Sequence, residues 1–234
     1  MSESHYVPVF SKFTFREMLD HAPNPLIGVM GFILSRFGMI NASEGNPAPN
    51  PVAEDLASFE DIPEEFQQGV QSLSSKFEKM GFELLSFMYN PLYPSVAGAY
   101  LLHQNRQWIA FVAYARAPQL QPGSKLSHRE VYSLLGFAQD KQCYSVTTAP
   151  FMQVPHVSRI FLRNTSATQV LRTFEKHVQG KVLQSFQGLS EVQEAMDEMS
   201  QRSHRYLVTR GVKKAVPAPV DPEPESKEEQ EDRT

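Results

Sequence analysis

The sequence contains little cysteine and no apolar run long enough to cross a bilayer. Cys143 is its single cysteine, so no disulfide can form within the chain. The first residues lack the basic segment and apolar core of a secretory signal. The longest apolar stretch, residues 26–40, is interrupted by Arg36 and is shorter than the roughly 20 residues that a transmembrane helix needs. We therefore expect a cytoplasmic protein without a transmembrane helix.

The short motifs that mark common enzyme sites are also absent. There is no glycine-rich dinucleotide fingerprint, phosphate-binding loop, nucleophile elbow or paired-cysteine zinc spacing. The seven histidines are dispersed along the chain, so we predict no metal site and no cofactor. Cys143 has no adjacent cation, and we interpret it as a packed side chain rather than a nucleophile. No catalytic residue can be assigned, and a binding protein is favoured over an enzyme.

Acidic residues are concentrated at the end of the chain. The net charge is -4, but residues 215–234 hold seven acids and two bases, which leaves 20 bases and 19 acids in the rest. This nearly neutral body carries no general attraction for polyanions, so we do not expect a nucleic-acid partner. The acidic, proline-rich end has no aromatic residue and is predicted to be disordered.

Composition divides the chain into four predicted parts. They are a helical N-terminal extension (1–40), a Pro/Asn-rich linker (41–55), an α+β core domain with a C-terminal helix (56–212) and a disordered acidic tail (213–234). In the extension, residues 26–40 form a helix that is apolar nearly all round, so something must cover it. We expect the protein's own core to be that cover, with another copy or lipid as the alternatives.

The core domain shows the pattern of a strand meander between helices. Asp61 is the predicted N-cap of an amphipathic helix that Gly81 ends, and Ser166 and Ser190 are predicted to begin two later helices. About six strands lie between the first helix and the second, at 82–89, 96–103, 108–116, 130–138, 142–149 and 157–163. Short turns join most of these strands, so the predicted fold is α+β with a mostly antiparallel sheet and flanking helices.

Each of the two predicted hairpins has a predicted register. In the first, Leu102 lies opposite Ile109, and Gly98 lies opposite Ala113. In the second, a two-residue turn at residues 140–141 places Leu135 opposite Val146. Both faces of the first hairpin are apolar, which places it centrally in the sheet.

The first hairpin also supplies the candidate ligand-binding residues. Its small side chains permit either close packing of a helix, which we favour, or a cavity for an apolar small molecule. The residues assigned to such a cavity are Gly98, Tyr100, Trp108, Phe111, Ala113 and Tyr114.

A basic stretch near the C-terminus is the candidate surface for an anionic partner. Its residues are Arg202, Arg205, Arg210, Lys213 and Lys214, with no acid between them. Such a stretch can bind nucleic acid phosphates or an anionic membrane surface, or it can be an ordinary cation-rich helix end, and we favour the last interpretation.

Three functions remain open. The first is a non-enzymatic domain that binds a protein partner or an apolar small molecule. The second is a membrane-peripheral protein that uses residues 26–40 and 202–214. The third is an enzyme with a scattered site between the two hairpins.

Overall fold

The chain folds as an α+β structure in which helices cover both faces of one large sheet. The computed structural model describes residues 5–22, 25–37, 46–47, 55–91, 94–116, 128–150 and 152–216. Its helices are α1 (Phe15–His21), α2 (Pro25–Arg36), α3 (Glu64–Glu78), α4 (Ala167–Val178) and α5 (Leu189–Thr209). Its strands are β1 (His5–Pro8), β2 (Asn46–Pro47), β3 (Leu56–Ala57), β4 (Phe82–Tyr89), β5 (Val96–His103), β6 (Ile109–Arg116), β7 (His128–Phe137), β8 (Cys143–Thr147), β9 (Val157–Phe161) and β10 (Lys213–Val216).

The large sheet has seven strands in the sequential order β3 to β9. All neighbouring pairs are antiparallel except β8 and β9, which are parallel. The segment that joins β8 to β9 must therefore return to the end where β8 began. It does so on the α5 side of the sheet, where Val154 is buried. The predicted mostly antiparallel sheet with flanking helices is confirmed.

The register of the first hairpin is confirmed. Leu102 pairs with Ile109 and Gly98 pairs with Ala113. A Cβ atom on Gly98 would lie 2.4 Å from the carbonyl oxygen of Val112. Strand pairing alone therefore requires glycine at this position.

The predicted register of the second hairpin is wrong by one residue. Val146 lies opposite Leu134, not Leu135. The turn contains three residues, 139–141, because the Ala138 amide donates to the carbonyl of Gln142. Lys141 adopts φ 63°, as expected for the last residue of a three-residue hairpin loop.

Each face of the large sheet has its own apolar core. α3 and α4 cover one face, where Phe66, Phe77 and Phe174 are fully buried against Ala99 and Ala110. The small residues of the first hairpin thus allow close approach of α3, as favoured from the sequence. α5 and the N-terminal segment cover the opposite face.

The N-terminal segment belongs to this second core. Phe13 is buried there together with Leu102, Phe137 and Leu207. β1 pairs with β10 on one side and with the short β2 on the other, which forms a small three-stranded sheet. The first four residues of the predicted tail are therefore a strand, whereas residues 217–234 lie outside the described residues.

Helix starts follow the predictions only in part. Ser166 is the N-cap of α4, and its hydroxyl accepts from the Gln169 amide. The N-cap of α3 is Pro63 rather than Asp61, which ends a short 3-10 turn instead. α5 begins after Gly188, slightly before the predicted Ser190.

Candidate functional site

The most distinctive surface of the molecule is formed by α1 and α2. α1 begins at Thr14 with a capping box in which Glu17 is the reciprocal partner, an arrangement that satisfies two of the free amides at a helix start. Pro25 opens α2, where a proline costs no hydrogen bond. The two helices lie against each other.

The small residues of α2 face inward. Gly28 is buried, and a Cβ atom on it would lie 2.9 Å from Leu19 Cδ2 and 3.0 Å from Leu19 Cα. Ser35 is also buried, and its hydroxyl donates to the Phe32 carbonyl over 2.8 Å. Because these two residues have little or no side chain, this face of α2 lets α1 approach closely.

The large apolar residues of α2 point into solvent instead. Leu26, Met30, Ile33 and Phe37 follow one another at spacings of four, three and four residues, so they form one stripe along the helix. Their exposed fractions are 78%, 61%, 49% and 76%. The prediction that the protein's own core covers this helix is therefore wrong for its outer face.

Neighbouring residues widen this stripe into a patch. Phe15 of α1 is exposed and its ring contacts that of Phe32 at 5.3 Å between centroids. We define the α2 patch as the exposed apolar residues of α1, α2 and the residue after it: Phe15, Leu26, Ile27, Val29, Met30, Ile33 and Phe37. Seven of the ten exposed large apolar residues in the described part of the chain belong to it. Soluble monomers rarely concentrate apolar surface in this way unless it is used.

Arg36 fixes the end of α2 to the preceding segment. Its guanidinium donates to the carbonyls of Ser11 and Phe13 over 2.8 and 3.3 Å. It also lies 4.8 Å from the centroid of the Phe32 ring. These contacts hold the end of α2 in place, although the outer face of the helix does not pack against the core.

An ion pair between Glu17 and Arg210 fixes α1 to the end of α5. Glu17 is completely buried, and its two carboxylate oxygens accept from Arg210 over 2.8 and 2.5 Å. Burial alone would raise the pKa of Glu17. The hydrogen bonds from Arg210, Thr14 and the Gln153 amide outweigh burial and lower the pKa to about 2. A short pattern could not have predicted this pair.

The predicted cavity residues do not lie around one space. Tyr100 and Phe111 lie on the α5 face of the sheet, where their rings contact each other. Trp108 and Tyr114 lie on the opposite face, with Trp108 against Phe174 of α4. The Tyr114 ring fills the place of a side chain at Gly69 of α3, where a Cβ atom would lie 2.4 Å from it. Gly98 and Ala113 pair with each other within the sheet.

The predicted basic surface is divided as well. Arg210 is held by Glu17, and Lys213 is half-buried in β10, where burial lowers its pKa. Arg202 donates to the Lys141 carbonyl over 3.4 Å. Arg205 and Lys214 are exposed.

A polar cavity lies between α5 and the second hairpin. It measures about 240 Å³, and an ion pair of 2.5 Å between Lys141 and Glu198 lies in its wall. His156 also lines it, and its Nε2 lies 2.9 Å from the hydroxyl oxygen of Ser203. Burial, with the nearby charge of Arg202, lowers the pKa of His156. The two hairpins themselves are neighbours in one sheet through β6 and β7, so the predicted site between them could lie only on a face of that sheet.

Cys143 is packed in the core of the α5 face. It is completely buried, and burial raises the pKa of its thiol to about 12. Such a thiol is protonated at neutral pH and is a poor nucleophile. Among the described residues no cluster of three potential metal ligands was found.

Comparisons with protein-family models, with curated proteins and with solved structures found no match. Within the described ranges, no helix combines the length and apolar character required to cross a membrane.

Proposed function

We propose that the protein is a non-enzymatic binding protein that docks through the α2 patch. The observation that carries this proposal is the orientation of α2. Its glycine face lies against α1, and its large apolar side chains lie in solvent. The large side chains of the outer face are 37–78% exposed, and covering apolar surface gains roughly 25 cal/mol for each Å² removed from water, which favours a partner on this face.

Both anchors of the α1–α2 pair support a docking role. Arg36 holds the end of α2, and Glu17 holds α1 to Arg210. The patch is thus presented by a fixed scaffold, and binding does not require the helix to be ordered first. A preformed surface loses less entropy on binding than a segment that folds on its partner.

Photocrosslinking in cells tests this proposal directly. A benzoylphenylalanine is introduced at Met30, or at Val182 as the matched control, because Val182 is 74% exposed and lies outside the patch. We expect adducts to lipid, to a second copy or to another protein from position 30 and not from position 182. Absence of any adduct from position 30, or equal adducts from both positions, would contradict the docking role.

A further inference from the structure

We infer that the α2 patch binds the surface of an anionic lipid bilayer. The inference rests on the proposed docking role and names its partner. The contact is then apolar at its centre and also requires negatively charged headgroups around that centre.

The charges around the patch favour an anionic partner. The described residues 9–37 contain two acids, and Glu17 is buried and neutralised by Arg210. Asp20, the other, lies 4.0 Å from Arg16. The basic residues of the same segment are Lys12, Arg16 and Arg36, all exposed, and these three cations less the one charge of Asp20 leave a net charge of +2. We call these three the basic rim. An apolar centre with a positive rim matches the acyl region and the phosphate groups of an anionic leaflet.

The length of α2 favours a position in the surface of the bilayer. A helix of 12 residues is about 18 Å long, too short to span a bilayer but suited to lie in its surface. Leu26, Met30, Ile33 and Phe37 project on one side of it. Helices that lie in the interface bury such a face by about 5–10 Å, which leaves cations at their flanks level with the headgroups.

The charge of the surface disfavours a second copy as the occupant. Two copies packed patch to patch would bring their basic rims together, and like charges side by side in an interface cost free energy. A bilayer needs no matching groove and can surround the exposed side chains on every side.

Binding of the full chain to vesicles tests the inference. Vesicles of phosphatidylcholine alone are compared with vesicles containing about one third phosphatidylserine, in a flotation assay at low and high salt. We expect the anionic vesicles to bind at least tenfold more protein at low salt and to lose most of it at high salt, because salt screens the headgroup charge.

Two variants separate the apolar and charged contributions. Met30→Glu should lower binding at least tenfold, whereas Val182→Glu, which adds the same charge at an exposed apolar site outside the patch, should leave it unchanged. The double variant Lys12→Gln and Arg16→Gln should lower binding about tenfold. Its control is Lys79→Gln with Arg172→Gln, which removes two exposed cations elsewhere. Thermal unfolding confirms that each variant is folded.

The outcomes distinguish this inference from the docking role itself. Equal binding to neutral and anionic vesicles would overturn the requirement for anionic lipid. No vesicle binding, with protein adducts from position 30, would overturn lipid as the occupant and leave the docking role intact. A concentration-dependent dimer that Met30→Glu abolishes, without vesicle binding, would identify the occupant as a second copy.

Discussion

Arg210 and Glu17 are 193 positions apart in the chain, yet the guanidinium of one binds the fully buried carboxylate of the other through two hydrogen bonds. The same guanidinium also donates to the carbonyls of Lys12 and Gln153. One side chain near the end of α5 therefore positions α1, the turn before it and the segment that joins β8 to β9.

Replacing Arg210 should destabilise the whole structure. In Arg210→Met the carboxylate of Glu17 stays buried without its charged partner, and such losses cost about 3 kcal/mol or more. The free energy of unfolding, measured in urea, should fall by that amount. Arg205→Met is the control on the same helix, because Arg205 is exposed, and should change stability by less than about 0.5 kcal/mol. Equal effects of the two variants would show that the ion pair does not hold these segments.

Acid should weaken the fold through Glu17. Its pKa is about 2 in the folded chain against 4.5 ordinarily, so between these values the unfolded chain binds more protons. Stability from this group is complete above pH 4.5 and is lost as the pH falls toward 2, by up to about 3 kcal/mol. Urea unfolding at several pH values should show the free energy of unfolding of the wild-type protein approaching that of Glu17→Gln as the pH falls. Parallel curves for the two proteins would rule out this titration as the cause.

Two glycines of α2 should respond differently to alanine. A Cβ atom at Gly28 meets the backbone of Leu19 at 3.0 Å, whereas one at Gly31 meets the flexible end of Met18 at 3.0 Å. Both changes gain about 1 kcal/mol in helix propensity. Gly28→Ala should nevertheless separate α1 from α2 at a cost of about 1–3 kcal/mol, and Gly31→Ala should be neutral or stabilising. Amide hydrogen exchange of residues 15–36 measures this, and equal protection in the two variants would contradict it.

Local patterns were sufficient for much of the sheet. β4 and β5 have the predicted bounds. The first hairpin has the predicted register because its turn has the four residues expected from the sequence, 104–107, and the His103 amide donates to the Trp108 carbonyl across it. The second hairpin differs by one residue because Lys141 adopts a left-handed conformation in a three-residue turn. Turn length is a property of backbone geometry that the apolar alternation of the strands did not specify.

The candidate site was only partly predictable. The apolar character of residues 26–40 was visible in the sequence, and so was the spacing that places Gly28 and Ser35 opposite Leu26 and Met30. Comparing side-chain sizes around the helix could have shown which face packs. The pairing of Glu17 with Arg210, and of β1 with β10, depends on contacts between distant parts of the chain that no local period encodes.

Because β1 pairs with β10, the fold can be completed only late in synthesis. During synthesis the large sheet is finished with β9, and α4 follows soon after it to cover its side of the sheet. The opposite face, with Leu102, Ile109 and Phe137, is covered by the chain's first segment together with α5. That first segment gains its β10 partner and its Arg210 contact only when residues 210–216 have been made. A nascent chain therefore exposes two apolar surfaces, this sheet face and the α2 patch, until residues 210–216 have been made, and only the sheet face is then covered.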